Sequence, residues 1–87
     1  MALADEIRSA INSSKAIIGY RESIKFIKSN TPKSIVIANN IPDSVRKEIE
    51  EAARPSSVKV EVFDGDSVNL GVLCGKPFPI SVIVIKL

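Results

Sequence analysis

The chain has 87 residues, of which 45% are hydrophobic and 25% charged, with a formal net charge of +2. That composition is too apolar for a disordered segment, and the length supports one hydrophobic core, so a single domain over residues 1–87 is expected. Histidine is absent and Cys74 is the one cysteine; the commonest general base and metal ligand are therefore missing, no internal disulfide can close, and neither enzymatic activity nor a metal nor any other cofactor is expected.

In chain order, Leu3, Ile7, Ala10 and Ile11 recur at helical spacing until Asn12, Ser13 and Ser14 interrupt them. Ala16 to Ile18 is a short apolar strand, and Arg21 to Ser29 a second helix with Ile24 and Ile27 inward. Asn30, Thr31 and Pro32 break it. Ile35 to Ala38 is a continuous apolar run, the pattern of a strand covered on both faces. Pro42 suits the first turn of a third helix, striped by Val45, Ile49, Ala52 and Ala53 and ended by Pro55. Val58, Val60 and Val62 alternate with Lys59 and Glu61, a strand nearer the sheet edge. Asp66 or Ser67 suits the N-cap of a short fourth helix carrying Val68, Leu70 and Val72. A loop follows from Leu73 to Pro79, then a final apolar strand from Ile80 to Ile85. Helices and strands alternating at such short spacing predict an α/β fold, a three-layer α-β-α sandwich around a mixed sheet of about four strands.

The N-terminus lacks the basic-then-apolar pattern of a signal peptide, and no apolar run approaches the roughly 18 residues of a membrane span. A cytoplasmic protein with no membrane partner is expected. Residues 1–30 carry five cations against three acids, whereas the remainder carries seven of each. A polyanion should therefore be drawn to one local patch in the first third of the chain.

Three stretches offer chemistry. In Gly19-Tyr20-Arg21-Glu22-Ser23-Ile24-Lys25 a glycine at a strand end permits close backbone approach, and a helix start presents unpaired N–H donors to a phosphate or base edge. Arg21, Lys25 and Lys28 share one helix face, which serves either as a row of donors or as the helix's solvated side. The second stretch, Leu70 to Pro79, is unusually apolar for a connection, and its Leu73, Cys74, Gly75, Lys76, Pro77 and Phe78 can receive an unstacked base or tuck into the core. Its glycines do not make a phosphate-binding P-loop: three residues separate Gly71 from Gly75, Pro77 replaces the Ser or Thr, and a strand follows. Cys74 has no histidine to activate it as a nucleophile. The third stretch, Asn39-Asn40, ends a buried strand, where α/β domains place ligand contacts and where turns and helix caps also need amides.

Together these stretches resemble the ribosomal protein family L thirty-e, within the L seven-Ae superfamily of kink-turn RNA binders. The residues that carry the resemblance are Gly19 to Lys25, Ile35 to Asn40 with Pro42, Leu70-Gly71, and Gly75-Lys76-Pro77-Phe78. It implies a structural protein of the large ribosomal subunit that recognises a kink-turn, in which tandem G·A pairs sit beside an extruded base. By match to the motif, Gly19 to Lys25 would line the G·A pairs, Asn40 would approach a base, and Leu73 to Phe78 would pack on the extruded nucleotide. The superfamily's wider motif has Asn-Glu where this chain has Arg21-Glu22, which suits the ribosomal branch and argues against the box C/D-type branch. The implied partners are ribosomal RNA and other ribosomal components, with DNA not expected. A non-ribosomal kink-turn adaptor and a protein-interaction module on the same fold are the alternatives.

Overall fold

The computed structural model describes residues 3–87. Helix α1 (Leu3–Asn12) is followed by β1 (Ala16–Ile18), α2 (Tyr20–Ser29), β2 (Ser34–Ile37), α3 (Asp43–Ala53), a 3-10 turn (Arg54–Ser56), β3 (Val60–Val62), α4 (Ser67–Leu73) and β4 (Val82–Ile85). The expected elements are all present. Their order in the sheet is β1-β4-β2-β3, with β4 antiparallel to both β1 and β2, and β2 parallel to β3. Strands β1, β2 and β3 thus point one way and β4 the other.

Side chains alternate across the sheet with the period of two that extended backbone imposes. Val36, Ile83 and Ile85 face α1 and α4, where Ile7, Ala10, Leu70 and Cys74 meet them. Ile35, Ile37, Val82 and Val84 face α2 and α3, where Ile24, Ile27, Ile49 and Ala53 pack. Three layers result, as expected. Strands β2 and β4 are buried at every position, matching their continuous apolar runs, while the alternating β3 lies at the edge with Val62 exposed. Leu3, placed on the α1 stripe by its spacing, has a side chain outside the described residues.

Helix ends fix where the connections leave. Helix α1 closes with Ser14 in the left-handed conformation (φ 59°), and Ser14 and Lys15 donate N–H bonds to Ile11 and Ala10 carbonyls at 3.1 and 2.7 Å. Helix α4 closes the same way. Gly75 (φ 71°) and Lys76 donate to Val72 and Gly71 at 3.0 and 2.9 Å. Both are Schellman motifs, which satisfy carbonyls that a helix end otherwise leaves open. Asp66 takes the N-cap of α4 and forms a reciprocal capping box with Asn69.

Three sequence expectations need adjusting. Pro42 sits at the N-cap of α3 and not within its first turn, since its extended ψ of 148° precedes the first helical residue. Leu73 closes α4 and is not yet loop. Of the three apolar residues assigned to α4 only Leu70 is buried; Val68 and Val72 are exposed, because residues two apart on a helix cannot share one inward face.

Candidate functional site

The ends of β1, β2 and β3 and the start of β4 share one pole of the sheet, and this rim gathers the first and second candidate stretches. Gly19 donates its N–H to Val82 at 3.1 Å, and Ala38 donates to Ser81 at 2.9 Å, so the turns after β1 and β2 flank the entry to β4. Between them Ile18, Gly19, Tyr20, Lys76, Phe78, Pro79, Ile80 and Ser81 line a depression of about 380 Å³. A smaller one of about 200 Å³ lies on the other side of Phe78, against Val68 and Val72. Phe78 is therefore a wall between two apolar hollows, 52% exposed.

Gly19 adopts φ 109°, ψ 152°, a region open essentially only to glycine. A Cβ there would meet nothing within 4 Å, so the glycine is required by backbone geometry and not by crowding. It delivers α2 with its first-turn N–H groups facing the rim and no side chain capping them. Tyr20 follows, its hydroxyl donating to Glu48 of α3. That bond, with lesser contributions from burial and the Glu48 charge, raises the Tyr20 pKa above its usual value, so the hydroxyl stays protonated at neutral pH.

Gly71 has the opposite reason for its residue type. A Cβ there would lie 2.2 Å from the Phe78 carbonyl oxygen, so the bare glycine is what lets the loop cross α4 at close range. Ser67 anchors the same crossing: its carbonyl accepts from Ile80 at 3.0 Å, and its N–H donates to the Asn40 side chain at 2.9 Å. The Asn40 amide also points its NH2 at the Ser67 hydroxyl, 3.4 Å away. Asn40 thus ties the turn after β2 to the start of α4, the helix whose following loop carries Phe78, and keeps one amide hydrogen and one lone pair for anything else.

Arg21, Glu22, Lys25 and Lys28 are exposed, but they do not share one place. Helix α2 runs back from the rim, so Lys28 lies about 10 Å farther along its axis than Arg21, seven residues at about 1.5 Å each. The expected single cationic patch in residues 1–30 is therefore divided between two poles. Two candidate side chains are withdrawn from any surface. Ser23 is fully buried beside Ile24 and Ile27 on the inward stripe of α2, its hydroxyl without a partner. Cys74 is 6% exposed in the core cluster, and burial pushes its thiol pKa up against the weaker opposite pull of Lys76. Among the described residues no group of three or more His, Cys, Asp or Glu could hold a metal, and no helix is long and apolar enough to cross a membrane.

Val68, Val72, Glu48 and Ser67 contribute to the rim without having been singled out from sequence. An apolar content beyond what a short helix can bury was the available signal for the valines. Nothing local marked Glu48, and Ser67 was marked only as an alternative N-cap.

Fold and rim define a class: a three-layer sandwich that offers, at one end of its sheet, a glycine-led helix start, a tethered asparagine and an apolar loop with one lysine. The chain belongs to the ribosomal protein L7Ae/L30e/S12e/Gadd45 family, whose model matches residues 1–87. It is 39% identical over 80 residues to the large ribosomal subunit protein eL30 of Methanosphaera stadtmanae, covering 92% of this chain and 82% of that one. Against the eL30 of Methanocaldococcus jannaschii it is 35% identical over 79 residues, covering 91% and 72%. These relatives carry ribosomal-protein names, and the expectation of a non-enzyme stands with them. Among solved structures, a Giardia lamblia 15.5kD RNA binding protein superimposes with TM-score 0.80 at 18% identity over 98% of this chain and 71% of that one, a likeness of fold. A Bacillus halodurans protein of unknown function gives TM-score 0.86 at 17% identity over 97% and 83%.

Proposed function

We propose that this chain is a structural RNA-binding protein of the large ribosomal subunit, working on cytoplasmic ribosomes, and that its rim recognises a kink-turn in ribosomal RNA. The observation that carries this reading is the convergence of Gly19 and Tyr20 with Lys76 and Phe78 around one depression. Family membership and the ribosomal names of the relatives support it.

Each part has a job that fits its chemistry. Gly19 and the open N–H groups behind it admit a close nucleotide edge; Arg21 supplies paired donors to a guanine edge or a phosphate. Phe78 gives an extruded base a face to stack on, and Lys76, held by the Schellman turn, places a cation beside it. Asn40 acts chiefly as a tether that fixes the distance between these two halves.

Calorimetry with a kink-turn RNA and a plain duplex of equal length tests the proposal. The kink-turn should bind at least about a thousandfold tighter than the duplex, the lower end of the usual specific-to-nonspecific ratio. Arg21→Ala should weaken kink-turn binding by about 1–3 kcal/mol. Equal affinity for both RNAs would overturn the reading.

A further inference from the structure

The pole of the sheet opposite the rim carries a row of lysines that the rim's chemistry does not use. Lys15 enters β1, Lys86 leaves β4 and Lys33 enters β2. The register that pairs Ala16 and Ser34 each with Ile85 sets these three side by side, one residue beyond the last strand positions. Backbone bonds hold them there: Lys86 donates to the Lys15 carbonyl at 2.7 Å and Lys33 to the Ile85 carbonyl at 2.8 Å. Lys15 is further fixed as the residue that closes the α1 Schellman motif. Lys59 precedes β3 at the same pole, one position inward of the row by the register that pairs Ile35 with Val60, and α2 and α3, running back from the rim, bring Lys28 and Arg54 there as well.

Like charges directly opposite one another on neighbouring strands repel and cost stability. Edge protection does not account for the row, since Lys86 and Lys33 flank the two central strands, β4 and β2. Nor are the three central lysines neutralised in place. Among the described residues the ion pairs are Arg46 with Glu50 and Lys59 with Glu61. Asp5 and Glu6 of α1 line the same broad depression, of about 510 Å³, as Lys15, Lys33 and Lys86, and Glu6 accepts from the Ser34 hydroxyl at 3.4 Å. In that depression the three lysines outnumber the two acids, while Glu50 stands beside Arg54 at the end of α3.

We infer that this lysine row is a second nucleic-acid contact, one that grips the phosphodiester backbone of an RNA helix distinct from the segment at the rim. The chemistry selects the ligand class. Lysine is a flexible point charge, suited to phosphates and not to reading bases. Beyond Leu87, the exposed large apolar side chains among the described residues belong to the rim half, so the described part of this pole lacks the aromatic anchors around which protein interfaces are built. With both poles occupied, a domain whose longest extent is 30 Å would clamp two RNA segments at opposite ends of its sheet.

The inference does not depend on kink-turn recognition, and its test uses the free chain with a plain RNA duplex lacking any internal loop, followed by fluorescence anisotropy against salt. Wild-type chain should bind weakly, with affinity falling steeply as salt rises. The variant Lys15→Gln/Lys33→Gln/Lys86→Gln should lose about tenfold or more at low salt, and its log-log salt slope should shrink by about 2–3, near one unit per lost contact. The matching triple arginine variant should restore binding, and circular dichroism should show all forms folded. Lys47→Gln, an exposed α3 lysine that belongs to neither pole's contact, should leave duplex binding within about twofold of wild type. A triple glutamine variant that binds duplex with the wild-type slope would overturn the inference. So would loss of duplex binding in Lys47→Gln equal to that in the triple variant, or retention of a polyglutamate peptide by a chain that ignores the duplex.

Discussion

The two poles of the sheet are built by the same device and end in different chemistry. At each, a helix closes in a Schellman motif that delivers a lysine, Lys76 at the rim and Lys15 at the far pole. At the rim that lysine sits among apolar hollows, with Phe78 beside it and the acids Asp64 and Asp66 on the neighbouring turn after β3. At the far pole it joins a row of its own kind. The contrast teaches that net charge says little about where a polyanion is held: the rim is suited to shape and stacking, and the far pole to bare phosphate.

Gly71→Ala should separate the poles most sharply. Its Cβ meets a backbone carbonyl and not a flexible side chain, so overpacking should cost about 2–3 kcal/mol, read as a lower urea midpoint. Because the clash lies at the loop crossing, kink-turn affinity should fall while the folded variant still binds plain duplex. Equal loss at both poles would break the distinction.

Phe78→Ala should cost about 1–3 kcal/mol of affinity for a kink-turn with an extruded base, the usual worth of one stacked base. Since the ring is half exposed, urea melts should shift by only about 0.5 kcal/mol. A large loss of stability with unchanged affinity would reassign Phe78 to packing.

Ser14 and Gly75 hold the same left-handed position in the two motifs, one with a side chain and one without. Ser14→Gly relieves about 1–2 kcal/mol of backbone strain and gives back about 0.4–1 kcal/mol of unfolded-chain entropy, for a net gain of about 0.5–1 kcal/mol. Gly75→Ser should lose a similar amount, and melts of the pair decide whether the two turns are equivalent.

The smallest effect is spectroscopic. Tyr20 is the one tyrosine, so tyrosinate absorbance reports it alone. Its midpoint should lie above the usual 10.0, and Glu48→Gln, which removes the charge, should lower it. Because the folded value is raised, this bond's stabilisation is complete below the unfolded value and is lost as pH rises through the folded one. Stability near neutral pH should therefore show no slope from Tyr20.

The elements were legible because their signals are local. Continuous apolar runs marked β2 and β4 as interior, alternation marked β3 as an edge, and Asp66 was visible as a cap. Of the residues lining the rim depression, Gly19, Tyr20, Lys76 and Phe78 stood in stretches marked in the sequence. The rim was not legible at Ser67 or Glu48, whose roles come from partners 27 and 28 residues away in sequence. Ser23 stood inside a motif that read as surface and Cys74 in one left open between surface and core; the inward turn of α2 and the end of α4 bury both. Asn40 was open to both a ligand role and a capping role, and its bonds to Ser67 occupy one of its two amide hydrogens and one of its two oxygen lone pairs.

Sequence by itself determined the list of elements, the three-layer class and the family, since periodicity, breakers and motif residues need only neighbours along the chain. Tertiary structure alone decided which strand ends meet. Inserting β4 antiparallel between β1 and β2 puts its start among the ends of the other strands and its end among their beginnings. That single choice joins Gly19 to Phe78 at one pole and aligns Lys15, Lys86 and Lys33 at the other, and strand order leaves no trace in local periodicity.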